Sequence, residues 1–290
     1  MKIIAFLHQG QPGVGLVSSD LQQIQPFDLP AAQRELGALA LIEMQARGEP
    51  LPALLDVLEI SAVQISAPLP KPRRNIFCVG KNYSAHAKEF SGSGFDSSAK
   101  AGEDIPDCPI YFSKVPESVI GHGEAIEMPA ASSAIDYEAE LTVIIGRGGK
   151  GILAKDAMDH VWGYTIINDV TARDWQSRHK QWHMGKSFDT FCPMGPWLVS
   201  ADECDATKTQ LRCYVNGELR QDASTTDLIF DIPTLIETLS AGITLYPGDV
   251  IATGTPVGVG IGFKPPKYLK AGDVVRIEID GIGCLENPVR

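Results

Sequence analysis

DYEAELTVIIG, residues 136–146, is the stretch on which both the fold and the chemistry of this chain turn. Alternate side chains of a strand share a face. Asp136, Glu138 and Glu140 therefore point one way, and Tyr137, Ala139 and Leu141 the other. Carboxylates at that spacing repel one another unless a cation lies among them. The segment then becomes a nearly continuous apolar run that enters a core, where charge needs a partner or a metal. A lone E-x-E pair also fits a solvated edge face, so the decision rests on what lies around it.

The next such stretch is IINDVTARDWQ, residues 166–176. It ends an apolar strand on Asn168 and Asp169 and predicts a helix starting there, with Asp169 or Thr171 near the N-cap. Asp169, Arg173 and Gln176 then cluster at the head of that helix. Two Glu on one strand and an Asp at a neighbouring strand end offer three oxygen ligands. That set suits Mg²⁺, which keeps several waters and leaves room for a bidentate substrate.

Three further segments carry candidate chemistry. GKNYSAHAKEF, residues 80–90, predicts a helix over Tyr83–Phe90 that places His86 and Glu89 on one face. A carboxylate orienting an imidazole is an arrangement for activating water, although such a pair is also a common surface contact. In WHMGKSFDTFCPMGP, residues 182–196, Lys186 follows a glycine and can project into a cleft. ATGTPVGVG, residues 252–260, is a Gly-rich turn whose N–H groups and Thr255 hydroxyl could hold a carboxylate.

Outside these motifs the chain from Asn75 is rich in short apolar runs bounded by Gly, Pro and Asp. NIFCVG, PIYFSK, VWGYTIIND, GPWLVS, LRCYVNG, DVIATG and DVVRIEI all read as strands. The VNG sequence marks a hairpin. Helices are fewer: Tyr83–Phe90, Thr171–His179 and Ile232–Ser240. The domain from 75 to 290 is thus a β-rich α+β unit, with no βαβ alternation, dinucleotide fingerprint or P-loop. Residues 1–67 read as a small N-terminal α+β unit, with strands at IIAFL and GVGLV, a helix over Leu29–Arg47 stopped by Gly48, and a second helix over Leu51–Leu58. PLPKPRR, residues 68–74, reads as an extended linker. Ser91–Asp107, rich in Gly and Ser, reads as a surface loop or a lid.

The 290 residues carry a net charge of −11, which disfavours nucleic acid and anionic membranes as partners. No run reaches the length of a membrane span, and the N-terminus lacks a signal-peptide core. The six cysteines show no C-x-x-C pair or zinc spacing and predict reduced thiols in the cytoplasm.

Taken in order, E-x-E, N-D-x-x-A-R-D-x-Q, G-K-S-F-D-T-F-C-P-x-G-P and P-G-D-V-I-x-T-G-T-P-x-G-V-G resemble the fumarylacetoacetate hydrolase superfamily over about residues 75–290. The resemblance is closest to its domain-containing proteins, as distinct from the longer tyrosine-degradation enzyme. It implies a rolled mixed β-sandwich, usually homodimeric. It implies Mg²⁺ or Mn²⁺ (with Ca²⁺ as a substitute) on Glu138, Glu140 and Asp169, and His86 with Glu89 as a water-activating pair. It also implies Lys186 in the cleft, Arg173 and Gln176 as its polar surroundings, and Tyr83 and Thr255 as substrate contacts. The early acidic ligand of the tyrosine-pathway enzyme has no counterpart here, where Lys81 and Asn82 stand in the nearest stretch. The expected activity is hydrolytic cleavage of a C–C bond in an acylpyruvate or 1,3-diketo acid. The alternative at the same metal site is tautomerisation, isomerisation or decarboxylation of a 2-oxo acid such as oxaloacetate. A non-catalytic module with a closed structural cation site is the reading outside enzymology.

Overall fold

The apolar runs pair into one large mixed sheet, one four-stranded antiparallel sheet and one two-stranded ribbon, in a computed structural model that describes residues 1–94 and 105–290. The N-terminal stretch forms β1 (Lys2–His8), β2 (Gln11–Val17), β3 (Gln23–Pro26), α1 (Ala31–Arg34), α2 (Leu39–Ala46), β4 (Leu58–Glu59) and β5 (Gln64–Ser66). The single helix expected over Leu29–Arg47 is broken. Gly37 adopts φ +62°, and a Cβ there would lie 2.5 Å from the Pro68 carbonyl oxygen. Ala38 donates its N–H to that same oxygen at 2.8 Å. The proline-rich stretch thus packs into the helix break, with Leu69 fully buried. The helix expected over Leu51–Leu58 does not form. Pro52 has no N–H to give a helix, and the segment runs beside β3 instead, through Asp28 N–H to the Ala53 oxygen and Leu55 N–H to the Pro26 oxygen, both 2.8 Å.

The remaining strands are β6 (Ile76–Gly80), β7 (Ile110–Lys114), β8 (Val119–Ile120), β9 (Ile135–Asp136), β10 (Ala139–Ile145), β11 (Val161–Asn168), β12 (Thr171–Ala172), β13 (Cys192–Ser200), β14 (Gln210–Val215), β15 (Glu218–Ser224), β16 (Val250–Ala252), β17 (Val274–Ile279) and β18 (Gly283–Pro288). The helices are α3 (Ser84–Ser91), α4 (Arg173–Arg178), α5 (His183–Lys186) and α6 (Ile232–Ser240). The large sheet runs β4-β3-β2-β1-β13-β11-β10-β16-β6-β7, and only the β16–β6 step of that path is parallel. β1 pairs with β13, so the N-terminal strands extend the same sheet. β10 and β13 are buried along their whole lengths, as strands covered on both faces must be. The small sheet runs β15-β14-β17-β18. β14 buries every second residue, so only one face meets the core. Its hairpin turns at Asn216 and Gly217, both with positive φ, as a two-residue turn demands.

Two cores result. Leu141, Val143 and Ile145 of β10 meet Leu211, Cys213, Val275 and Ile277 of the small sheet. Ile144 faces the other way, with Ile167, Met194 and Leu198, and is covered by Leu39, Leu41 and Ile42 of α2. The period-two pattern of one sequence stretch therefore fills both layers. Truncating a side chain such as Leu141 to Ala would cost about 2–5 kcal/mol.

Candidate active site

The site forms where β10 and β11 begin and end their pairing. Ala139 stands opposite Asn168, so Glu138 and Asp169 lie just beyond the ladder. Asp169 N–H donates to the Glu138 carbonyl at 2.8 Å, and Glu138 N–H donates to Asn168 Oδ1 at 3.0 Å. Glu140 follows two residues along β10. One carboxylate oxygen from each of Glu138, Glu140 and Asp169 lies within 4.8 Å of the others, all three buried. Asp169 is not a helix cap, contrary to the sequence expectation. Thr171 and Ala172 pair with β9 as β12, and the helix starts only at Arg173. That long-range pairing frees the Asp169 side chain for the site.

Three buried cations face these carboxylates. Lys186 Nζ lies 2.8 Å from Glu138 Oε2 and 2.7 Å from Asp169 Oδ2. Lys114 Nζ lies 2.6 Å from Asp169 Oδ1 and also donates to the Lys186 carbonyl. Arg173 spans Asp136 at 2.9 Å and Glu138 at 2.7 Å, and its NH1 donates to Gln176 Oε1 at 3.1 Å. Burial alone would push Glu138 up. Lys186, Arg173 and His86 outweigh it and hold that carboxyl down at about 2. Lys186 is raised in turn, because Asp169 and Glu138 overcome the burial that opposes its charge.

Glu140 is treated in the opposite way. It accepts one N–H, from Gly254 at 2.9 Å, and makes no ion pair among the described residues. Burial first, then Asp169 and Glu138, raise its carboxyl well above the ordinary range. A carboxylate so placed needs a proton or a further cation. A hard divalent ion among three oxygen donors answers that need. Such an ion would share Glu138 and Asp169 with the Lys186 ammonium.

The helical side brings an imidazole–carboxylate pair. His86 Nδ1 lies 3.1 Å from Glu89 Oε2, which leaves Nε2 as the ring nitrogen for other partners. The Gly-rich turn does hold carboxylates, and they are the protein's own. Gly254 N–H serves Glu140, Gly258 N–H serves Glu89 at 3.1 Å, and the N–H groups of Gly260 and Ile261 serve Asp136 at 2.6 and 2.9 Å. Gly258 has φ +107°, and a Cβ there would lie 1.9 Å from the Arg220 carbonyl oxygen. Thr255 Oγ1 accepts from Gln221 Nε2 at 2.8 Å.

A narrow cleft is lined by His86, Glu138, Glu140, Arg173, Lys186 and Thr255. Gln176 also reaches it. Tyr83 does not. It sits at the N-cap of α3, with its phenol buried and without a partner among the described residues. Of the stretch read as a loop or lid, 95–104 lies outside the described residues. Sequence reasoning missed Lys114, whose signal was a lysine closing the apolar strand PIYFSK. It also missed the aromatic wall of Phe90, Phe112 and Trp182.

The model of the fumarylacetoacetate (FAA) hydrolase C-terminal family matches residues 75–290. The chain belongs to the fumarylacetoacetate hydrolase family. Within it, the chain is 53% identical over 234 residues to oxaloacetate tautomerase YisK of Bacillus subtilis, covering 79% of this chain and 74% of that one. A mitochondrial oxaloacetate tautomerase of Xenopus laevis is 40% identical over 299 residues, covering 100% of this chain and 90% of that one. Two solved structures share the fold along 100% of this chain and 99% of their own. A fumarylacetoacetate hydrolase from Exiguobacterium antarcticum superposes with a TM-score of 0.82 at 38% identity. A 5-carboxymethyl-2-hydroxymuconate delta-isomerase from Mycobacterium smegmatis superposes with a TM-score of 0.78 at 32% identity. The chain is therefore an enzyme of the fumarylacetoacetate hydrolase superfamily, whose members here carry tautomerase, isomerase and hydrolase names on one β-rich fold. No helix among its described residues is long and apolar enough to cross a membrane.

Proposed function

We propose that this enzyme interconverts the enol and keto forms of oxaloacetate, with Mg²⁺ or Mn²⁺ held by Glu138, Glu140 and Asp169. The observation that carries the reading is that His86, which Glu89 contacts, lines one narrow cleft with Glu138 and Glu140 of that carboxylate triad, in a chain so similar to named oxaloacetate tautomerases. The divalent ion supplies Lewis acidity toward the 2-oxo-carboxylate end. His86 Nε2 takes a proton from C3 or returns one to it, and Glu89 steadies the imidazolium meanwhile. Lys186 and Arg173 offset the negative charge that gathers on the 2-oxo oxygen when C3 loses its proton. That oxygen gains a proton as C3 loses one, so the reaction has no other reactant.

The test is decay of the oxaloacetate enol, followed with Mg²⁺, with Mn²⁺ and with EDTA. Catalysed decay that EDTA stops is the expected result. Decay at the buffer rate by metal-loaded protein would sink the proposal.

A second reading, hydrolysis of an acylpyruvate, is favoured by the same 3.1 Å imidazole–carboxylate contact, which also suits activation of water. Acetylpyruvate plus one water would then give acetate and pyruvate in equal amounts. We further propose a homodimer in the cytoplasm, with residues 1–67 as an N-terminal unit joined through 68–74 to the catalytic domain of 75–290. Sedimentation and limited proteolysis check these points.

A further inference from the structure

Part of the cavity wall is aromatic. Trp182 packs edge-on against Phe90 at 5.8 Å and 84°, and against Phe112 at 5.3 Å and 68°. Its six-membered ring lies over Gly80. A Cβ built on Gly80 would come within 2.2 Å of Trp182 Cζ3, so the indole occupies a slot that only glycine leaves open. Phe112 carries Lys186 Nζ 4.9 Å from its centre, and Phe90 carries the Arg173 guanidinium at 5.8 Å. Trp182 carries no such cation among the described residues. Its ring is spent on filling space beside the carboxylates. The Trp182 carbonyl also accepts from Gly185 N–H at 2.9 Å, which ties the Trp182 backbone to the turn that delivers Lys186.

We infer that Trp182, seated on Gly80, sets the upper size limit of the substrate and confines the site to compact 2-oxo acids; this rests on the tautomerase reading above. Polar groups recognise the shared 2-oxo-carboxylate end. The indole meets whatever is attached beyond C3. The carboxylate that C3 of oxaloacetate carries fits beneath it, and the phenyl group that C3 of phenylpyruvate carries collides with it.

The experiment compares kcat/KM for the enol-to-keto conversion of oxaloacetate and of phenylpyruvate, with Mg²⁺, in the wild type, Trp182→Ala, Trp182→Leu and Gly80→Ala. Trp182→Ala should raise the phenylpyruvate-to-oxaloacetate ratio by about tenfold or more, the scale on which an apolar pocket discriminates size. Gly80→Ala should drive the indole into the cavity and lower kcat/KM for both substrates, and Trp182→Ala added to it should restore them. An unchanged ratio in Trp182→Ala and Trp182→Leu would overturn the inference. If neither of those variants folds, an undiminished kcat/KM in Gly80→Ala overturns it instead. If the wild type converts neither enol, the tautomerase reading fails. The size limit is then read from calorimetric binding of pyruvate and phenylpyruvate to the Mg²⁺-loaded protein, under the same criterion.

Discussion

The carboxylate wall and the aromatic wall of the cavity are held in place by different forces. Glu138, Glu140 and Asp169 ride on or beside the fully buried β10 and the buried end of β11, and nearly every oxygen they carry meets a cation or a backbone N–H. Phe90, Phe112 and Trp182 come from α3, β7 and the turn before α5, and they hold one another by ring packing. Polar placement fixes direction to fractions of an ångström. Ring packing fixes volume and tolerates exchange at similar size. On the readings proposed above, the chemistry falls to one wall and the choice of substrate to the other.

The sharpest way to probe this division lies at its border, on α3. His86→Ala should lower turnover by about 10²–10⁴-fold and leave Mn²⁺ affinity unchanged, as measured by calorimetry. Equal losses of both would mean that the helical side helps to hold the metal. Lys114→Met acts within the charged wall. It leaves Asp169 short of a buried partner and should destabilise the fold by about 3–5 kcal/mol, read from denaturant unfolding. Lys114→Arg should recover part of that loss, and a neutral Lys114→Met would show that the charged wall is less tightly determined than its contacts suggest.

The smallest effect separates two neighbours on one strand. Glu138 is held down to about 2, so its stabilising contribution is complete above the ordinary carboxyl range and is lost as pH falls toward 2. Glu140 is raised, so its ionisation costs stability at neutral pH, and that cost fades as pH falls through the raised value. Glu140→Gln should therefore raise the melting temperature of the metal-free protein at pH 7, with a gain that shrinks in acid. The same change should weaken Mn²⁺ binding by at least about 100-fold. A lower melting temperature for metal-free Glu140→Gln would remove the argument that this carboxylate waits for a cation.

The charged wall was largely legible in the sequence. E-x-E, N-D and H-x-x-E announce themselves by spacing, because strand and helix periods place their members together without knowledge of the rest of the fold. The helix Ile232–Ser240 and the Asn216–Gly217 turn were legible for the same local reason. What stayed hidden depends on distant partners. Gly37 breaks a well-patterned helix because Pro68 approaches it. Thr171 and Ala172 extend as a strand because β9 offers a ladder. Lys114 points inward because Asp169, 55 residues on, receives it. Trp182 reads as one more large residue until Gly80 is seen beneath it.

The turn from Gly254 to Ile261 gives its N–H groups to Glu140, Glu89 and Asp136, and Asp136 in turn anchors Arg173. One short piece of backbone thus holds carboxylates of the proposed ion site, of the imidazole pair and of the Arg173 anchor. For anyone wishing to re-aim this enzyme, that is a map of where to write and where to leave the text alone. Combinatorial libraries belong at positions 90, 112 and 182, and codons 80 and 254–261 should be kept as they stand.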